Sequence, residues 1–303
     1  MGREKQRNRE LFIRNIILIV LICVLLFISI FTYQKYNSLN IKNSELSSKI
    51  NNNIKEKENY TNELNKNKND LNKIKEDITK TNEIKDNYFT NIRKLEDKIL
   101  KGESDKKIAY LTIDDGPYNK TYDFLKVLKE YDAPATFFVL LKENKKDTYA
   151  DILKEGHTIG NHTASHALGR NGVYASTEAF VNDIHKLENY LVEKFNYKPT
   201  LFRFPGGSLT AGKLKLDIAN TLKNEGYAYA DWNVIVGDGS DEQIKMKRPY
   251  AWYKEQSNGK KIITILMHDY SQVTLEDLPK ILKDLKDNGY LILPLSNKSI
   301  MVN

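Results

Sequence analysis

Residues 108–117 read Ile-Ala-Tyr-Leu-Thr-Ile-Asp-Asp-Gly-Pro, an apolar run that ends in two aspartates and a turn. The first six residues predict a buried strand, and Asp-Asp-Gly-Pro is typical of the turn that ends one. Strand-like and helix-like segments alternate from here to the C-terminus, which predicts a parallel α/β architecture. The aspartates therefore lie at a strand end, where barrel enzymes place their active sites.

The alternating segments can be bounded from their apolar patterns. We expect strands at 108–113, 135–140, 158–161, 201–204, 227–234, 262–267 and 290–293. We expect helices near 121–131, 148–155, 176–195, 214–225 and 275–287.

A histidine pair stands downstream, in His162-Thr163-Ala164-Ser165-His166. Histidines four residues apart on a helical turn project from one face and can reach the same cation. A carboxylate from elsewhere would complete three protein ligands, the usual number in a catalytic zinc site, where one position stays open. The sole cysteine, Cys23, lies inside an apolar run and is not a candidate ligand.

Plainer interpretations exist for each feature alone. Asp-Asp-Gly-Pro fits a polar turn, and the two histidines fit a capping or surface role. Because both features occur in one chain, we favour a metal site in which one aspartate is a ligand and its neighbour a general base. The cofactor is then a divalent metal; Zn²⁺ is the expected ion, although Asp and two His suit several.

Three later segments extend the pattern: Phe202-Arg203-Phe204-Pro205-Gly206-Gly207, Ala230-Asp231-Trp232-Asn233 and Ile265-Leu266-Met267-His268-Asp269. With the two segments above, and in this order, they resemble the five motifs of NodB-like polysaccharide deacetylases of carbohydrate esterase family 4. The resemblance covers roughly residues 107–295. It implies a distorted, incomplete (β/α) barrel and the removal of acetyl groups from a polysaccharide.

The resemblance implies roles for the residues that carry it. Asp114 would be the base that takes a proton from the attacking water. Arg203 would pair with Asp114 and hold it ionised and oriented. The metal ligands would be Asp115, His162 and His166.

The acid and the substrate contacts follow from the same resemblance. His268 would protonate the leaving amine, and Asp231 would face His268 and raise its pKa, which keeps the acid protonated. Trp232 and Leu266 would line a small pocket for the acetyl methyl group. The backbone N–H of Gly206 would help to hold the oxyanion.

Two departures from the family pattern matter near the site. Gly206 stands where the family often has an aromatic residue, so a side chain near the substrate is missing, while the glycine still supplies its backbone N–H. The run Val234-Ile235-Val236-Gly237-Asp238-Gly239 has no familiar counterpart, so the resemblance implies no role for Asp238.

The N-terminal third predicts a membrane anchor. Residues 1–10 form a basic tail, and the apolar run at 11–33, nearly unbroken from 16 to 31, is about long enough to span a bilayer. Basic residues before the run place the tail in the cytoplasm and the rest of the chain outside, as a single-pass cell-membrane protein. A cleaved signal peptide is the alternative, but no Ala-x-Ala-like site follows the run.

Residues 34–104 predict a helical, coiled-coil-like stalk. Apolar residues recur at heptad spacing, and polar residues such as Asn53 and Lys57 interrupt the seam. If helical, the stalk would be roughly 100 Å long and would allow homo-oligomers. Disorder is the alternative. The apolar seam positions are Leu46, Ile50, Tyr60, Leu64, Leu71, Ile74, Ile78, Tyr88, Ile92, Leu95 and Ile99.

Most of the net positive charge lies before the predicted catalytic domain at 105–303. Residues 1–100 hold 19 of the 47 basic and 13 of the 40 acidic side chains, so the net charge of +7 divides into +6 there and +1 beyond. No basic groove interleaved with aromatic residues predicts nucleic-acid binding. The partners expected are a polysaccharide and the membrane.

The sequence therefore predicts a membrane-anchored, metal-dependent N-deacetylase of N-acetylglucosamine residues in an extracellular polysaccharide, with peptidoglycan as the first choice. An O-acetyl esterase on another glycan is one alternative, because the chemistry at the metal would be the same. A noncatalytic wall-binding scaffold protein is the other.

Overall fold

The structure, a computed structural model, describes residues 2–169 and 171–301, with side chains from residue 6 onward. The chain divides into two compact units, Met1–Asn82 and Glu83–Asn303. Outside the described part lie Met1, Arg170, Val302 and Asn303 and the side chains of residues 2–5, among them Arg3 and Lys5 of the predicted basic tail.

Residues 2–82, in the first unit, lie within helix α1, Gly2–Leu100. By length and composition, α1 is the one helix in the described residues that is apolar enough to cross a membrane, with the span near its N-terminus. Every side chain from residue 6 to residue 88 is exposed, including seam positions such as Leu46 and Ile50. The helix fits the predicted anchor and stalk, and membrane insertion and coiled-coil pairing remain predictions.

The last turns of α1 belong to the second unit, which begins upstream of the expected domain boundary at residue 105. Ile99 is buried in an apolar cluster with Tyr110 and Leu295. Glu96 is fully buried, and its two carboxylate oxygens accept hydrogen bonds from Tyr110 Oη at 2.7 Å and from Ile300 N at 2.9 Å. The end of the predicted stalk is thus part of the core of the second unit.

Replacing Glu96 with alanine should lower the free energy of unfolding of this unit by about 1–3 kcal/mol, because two buried donors lose their acceptor. Glu96→Gln, which keeps a side-chain oxygen, should lose much less. Denaturant unfolding followed by tryptophan fluorescence measures this, since both tryptophans, Trp232 and Trp252, lie in the second unit. Equal stability of Glu96→Ala and the wild type would show that the contact contributes nothing.

Eight parallel strands form a single sheet in the second unit, in the order β5-β4-β3-β2-β1-β7-β6, with β8 paired to β1. No pairing joins the end strands β5 and β6 among the described residues, so the sheet is an open, incomplete barrel as expected. The strands are β1 Lys107–Asp114, β2 Thr136–Val139, β3 Thr158–Asn161, β4 Leu201–Phe202, β5 Ala228–Tyr229, β6 Val234–Ile235, β7 Ile262–His268 and β8 Tyr290–Leu293.

Helices connect most of the strands. The core forms where one face of the sheet meets them: Ile113 and Phe137 of the strands are fully buried with Phe124 of α2 and Leu278 of α8. The helices are α2 Thr121–Glu130, α3 Lys146–Lys154, α4 Thr177–Phe195, α5 Lys215–Asn224, α6 Asp241–Met246, α7 Pro249–Ser257 and α8 Gln272–Asp287.

Two expectations about secondary structure are wrong. The single strand expected at 227–234 is two short strands, β5 and β6, which lie at opposite ends of the sheet. Residues 162–166 are not a helical turn but a loop that follows β3. Helices α6 and α7, which the apolar pattern did not predict, lie between β6 and β7.

Candidate active site

The strand register brings the motif residues together at the carboxyl edge of the sheet. Asp114 ends β1, directly opposite His268 at the end of β7. Asn161 of β3 pairs with Phe202 of β4, so the residues that follow them, His162 and Arg203, leave the sheet side by side. The carboxyl edge is where parallel α/β enzymes place their catalytic side chains.

The three expected metal ligands converge on one point. Their ligand atoms all lie within 4.8 Å of one another. Asp115 Oδ1 is 3.5 Å from His162 Nε2 and 3.6 Å from His166 Nε2. Two imidazole nitrogens and a carboxylate oxygen form the donor set of many catalytic zinc sites.

Three observations show that this set suits a divalent cation. Asp115 Oδ1 is buried and has no hydrogen-bond partner among the described residues, which is costly for a carboxylate oxygen unless a cation meets it. His162 Nδ1 donates to the Arg203 carbonyl at 2.9 Å, so Nδ1 carries the ring proton and the lone pair of Nε2 is free to bind a cation. Burial lowers the pKa of His162 to about 3, so the ring is neutral, as a ligand must be.

The loop that carries both histidines reaches this geometry without a helix. Thr163 and His166 have φ values of 68° and 51°, and Asp115 has 70°, in the left-handed region that non-glycine residues rarely adopt. Thr163 Oγ1 accepts from His166 N at 3.0 Å, and Asp183 accepts from the backbone and hydroxyl of Ser165. Backbone strain of this kind concentrates at functional sites.

Asp114 and Arg203 form the expected pair, both buried. Arg203 Nη1 donates to Asp114 Oδ1 and to Thr112 Oγ1, both at 2.8 Å, while Nε and Nη2 donate to the carbonyls of Ala230 and Asp231. Burial raises the pKa of the Asp114 carboxyl, and the Arg203 charge opposes that rise. The guanidinium therefore orients a carboxylate that is more basic than an exposed one.

His268 is paired with Asp238 and not, as expected, with Asp231. His268 Nδ1 donates to Asp238 Oδ1 at 2.8 Å, and His268 N donates to Asp238 Oδ2 at 3.0 Å. Asp231 instead accepts from the backbone of Ser208 at 3.0 Å and from its hydroxyl. The expected role of Asp231 is wrong because Asp231 follows β5, at the far end of the sheet from β7, whereas Asp238 follows β6, which pairs with β7.

The pairing with Asp238 sets the charge of His268. Burial acts to lower the pKa of His268, but the hydrogen bond and charge of Asp238, with the nearby charges of Asp114 and Asp115, outweigh it and raise the pKa to about 9. His268 Nε2 lies 3.9 Å from Asp115 Oδ2, so this nitrogen faces the ligand cluster.

An open cleft of about 470 Å³ lies over these groups. Trp232, Leu266 and Gly206 line it, as expected, together with Ile235. Other lining residues were not expected: Gly237, Asp238, Gly239, Gln243 and Tyr270.

One of these unexpected residues could have been found from the sequence. Asp238 stands just after an apolar strand, the same context that marks Asp114. Tyr270, whose ring stacks on His268 at 5.0 Å between centroids, and Gln243 of α6 carry no such signal. Their place in the cleft depends on long-range folding.

Known proteins are similar to this chain in sequence and in fold. The polysaccharide deacetylase family matches residues 101–229, a range that contains Asp114, Asp115, His162, His166 and Arg203. Two Bacillus cereus proteins named peptidoglycan-N-acetylglucosamine deacetylase are similar: one is 32% identical over 61% of this chain and 68% of its own length, the other 33% over 64% and 88%. The catalytic domain of peptidoglycan N-acetylglucosamine deacetylase from Eubacterium rectale has a TM-score of 0.58 at 30% identity, covering 64% of this chain and 91% of that one.

Proposed function

The chain belongs to the polysaccharide deacetylases of carbohydrate esterase family 4, and on this premise we propose that it removes acetyl groups from N-acetylglucosamine residues of peptidoglycan by metal-dependent hydrolysis. One observation carries the proposal. The unpartnered Asp115 Oδ1 faces two imidazole nitrogens, beside a buried carboxylate and a charged histidine on the same cleft. These are the groups that amide hydrolysis needs: a cation site, a base and an acid.

Asp115, His162 and His166 would hold the metal, with Zn²⁺ as the proposed ion. A divalent cation, when bound, supplies a Lewis acid that polarises the acetyl carbonyl and makes water more acidic. Asp114 takes the proton from the attacking water, helped by the rise in its pKa on burial. Arg203 fixes the orientation of that carboxylate through the 2.8 Å hydrogen bond.

His268 completes the reaction as the acid. As the carbon–nitrogen bond breaks, Nε2 donates its proton to the leaving nitrogen of the sugar. Asp238 keeps the imidazolium charged until then, which is the role that the family resemblance implied for Asp231. The acetyl methyl group would lie against Trp232 and Leu266, with Gly206 N–H near the oxyanion.

Replacing Asp238 with asparagine should move the alkaline limb of the pH–rate profile to lower pH. The raised pKa of His268 keeps the acid protonated up to about pH 9, and activity is lost as pH rises through that value. Removing the Asp238 charge lowers the pKa, so the proton is lost earlier. Asp231→Asn is the matched control and should leave the limb in place, because its carboxylate binds Ser208. If the alkaline limb moved in Asp231→Asn and stayed in place in Asp238→Asn, Asp231 and not Asp238 would be the partner of His268.

We also propose that the apolar part of α1 anchors the protein in the cell membrane and that the catalytic unit lies outside. The supporting observations are the length and composition of the helix and the basic residues before the apolar run. A cell-wall substrate agrees with this placement. The exposed heptad seam of α1 would support homo-oligomers through the stalk.

Acetate release by the full chain from three substrates tests the proposed function: N-acetylated chitooligosaccharides, peptidoglycan and acetylxylan. We expect release from the first two, with free amines on glucosamine. Release from acetylxylan alone would establish an O-acetyl esterase. Binding to peptidoglycan without release from any substrate would establish a scaffold protein.

A further inference from the structure

Three glycines line the cleft, and they differ in what the fold demands of them. Gly206 and Gly237 have φ values of 73° and 67°, where side chains are strained. A Cβ on Gly237 would also lie 2.3 Å from Trp252. Gly239 has no positive φ, and a Cβ there would lie at ordinary contact distances, 3.5 Å from Gln243 Oε1 and 3.7 Å from His268 Cε1. Nothing in the backbone or the packing requires a glycine at 239.

The missing side chain at 239 leaves room beside the acid. Its Cβ position faces both the His268 imidazole and the Gln243 carboxamide, so a larger residue would fill the space between them. The segment of residues 237–243 is held at both ends by Trp252, so it cannot easily move to close that space. Trp252 packs on Gly237 at one end of the loop, and its Nε1 donates to the Gln243 carbonyl at 3.3 Å at the other.

We infer that this space takes a substituent on O3 of the reacting sugar, so the enzyme also deacetylates N-acetylmuramic acid residues. The inference rests on the proposed function, in which His268 protonates the nitrogen on C2. Because C3 is bonded to C2, a group on O3 lies within a few bonds of that nitrogen and has to fit beside His268. In peptidoglycan, N-acetylmuramic acid carries a lactyl ether at O3, and N-acetylglucosamine does not.

Gln243 makes the space suited to that group in chemistry as well as in size. Its half-buried carboxamide borders the cleft on α6. Oε1, the atom 3.5 Å from the Gly239 Cβ position, can accept from the amide N–H of a lactyl group joined to a peptide, and the Nε2 hydrogens can donate to a lactyl carboxylate. Gly239 is therefore a specificity-determining residue: its lack of a side chain admits the O3 substituent.

The test uses a defined tetrasaccharide of alternating N-acetylglucosamine and N-acetylmuramic acid, with tandem mass spectrometry to locate each free amine. The wild-type full chain should free the amine on both sugars. In Gly239→Leu, the ratio of muramic acid to glucosamine deacetylation should fall about tenfold or more, the scale of steric exclusion from a pocket. Gly169→Leu is the matched control, an exposed glycine outside the cleft with open space around it, and should keep the wild-type ratio.

Two results would overturn the inference and leave the proposed function intact. One is a wild-type enzyme that frees glucosamine amines only. The other is a Gly239→Leu enzyme whose rates on the two sugars fall by the same factor. The space would then hold a part of the glycan that both sugars share, and not the O3 substituent. A wild type that frees neither amine overturns the proposed function and the inference with it.

Discussion

Asp114→Asn should retain its metal and lose turnover by a factor of about 10² or more, the scale of a lost general base. The asparagine keeps the size of the side chain and an oxygen that Arg203 can reach, but it cannot take a proton. Steady-state acetate release with elemental analysis of the same sample measures both quantities. Arg203 loses its anionic partner in this variant, so both enzymes are compared well below their melting temperatures.

Asp123→Asn is the matched control for the same chemical change. Asp123 is an exposed residue of α2, so its variant should keep wild-type turnover. A metal-replete Asp114→Asn protein that turns over at the wild-type rate would exclude Asp114 as the base.

His166→Ala should lose both the bound metal and the activity. Removing a residue that only hydrogen-bonds to a metal ligand already weakens metal binding about 10–100-fold, and removing a ligand itself weakens binding further. His166 supplies one of three donors in the only cluster of this kind that the described residues contain. Elemental analysis after dialysis, followed by titration of activity with Zn²⁺, measures the loss.

A second histidine provides the control for this variant. His185 Nε2 lies 2.7 Å from Glu225 Oε2, outside the ligand cluster, so His185→Ala should keep its metal. Full occupancy of the site in His166→Ala would remove His166 from the ligand set.

The core of the site could be predicted because its residues directly follow buried strands. The apolar run of β1 fixes where Asp114 and Asp115 leave the sheet, and an all-parallel sheet gathers such ends at one edge. The helical turn at 162–166 was wrong because spacing alone does not set backbone conformation. The hydrogen bonds of Thr163 and Asp183 hold that loop in place, and Asp183 comes from α4.

The partner of His268, the proposed acid, could not be predicted from the local sequence. Asp231 and Asp238 stand in one stretch, but β5 and β6 place them at different parts of the sheet, and only pairing with β7 brings Asp238 to His268. The heptads of α1 have a similar limit. A heptad pattern predicts that one face of the helix is buried, but it does not identify what packs on that face. Ile99 packs in the core of the second unit and not against another stalk helix.

Acetate release from N-acetylated chitooligosaccharide by the metal-stripped full chain, before and after Zn²⁺ is added back, tests metal-dependent deacetylation most directly. The proposed function predicts no release from protein shown to be metal-free by elemental analysis. It predicts full recovery at about one equivalent of metal per chain, the stoichiometry of a single three-ligand site. Wild-type release by the metal-free protein would contradict it.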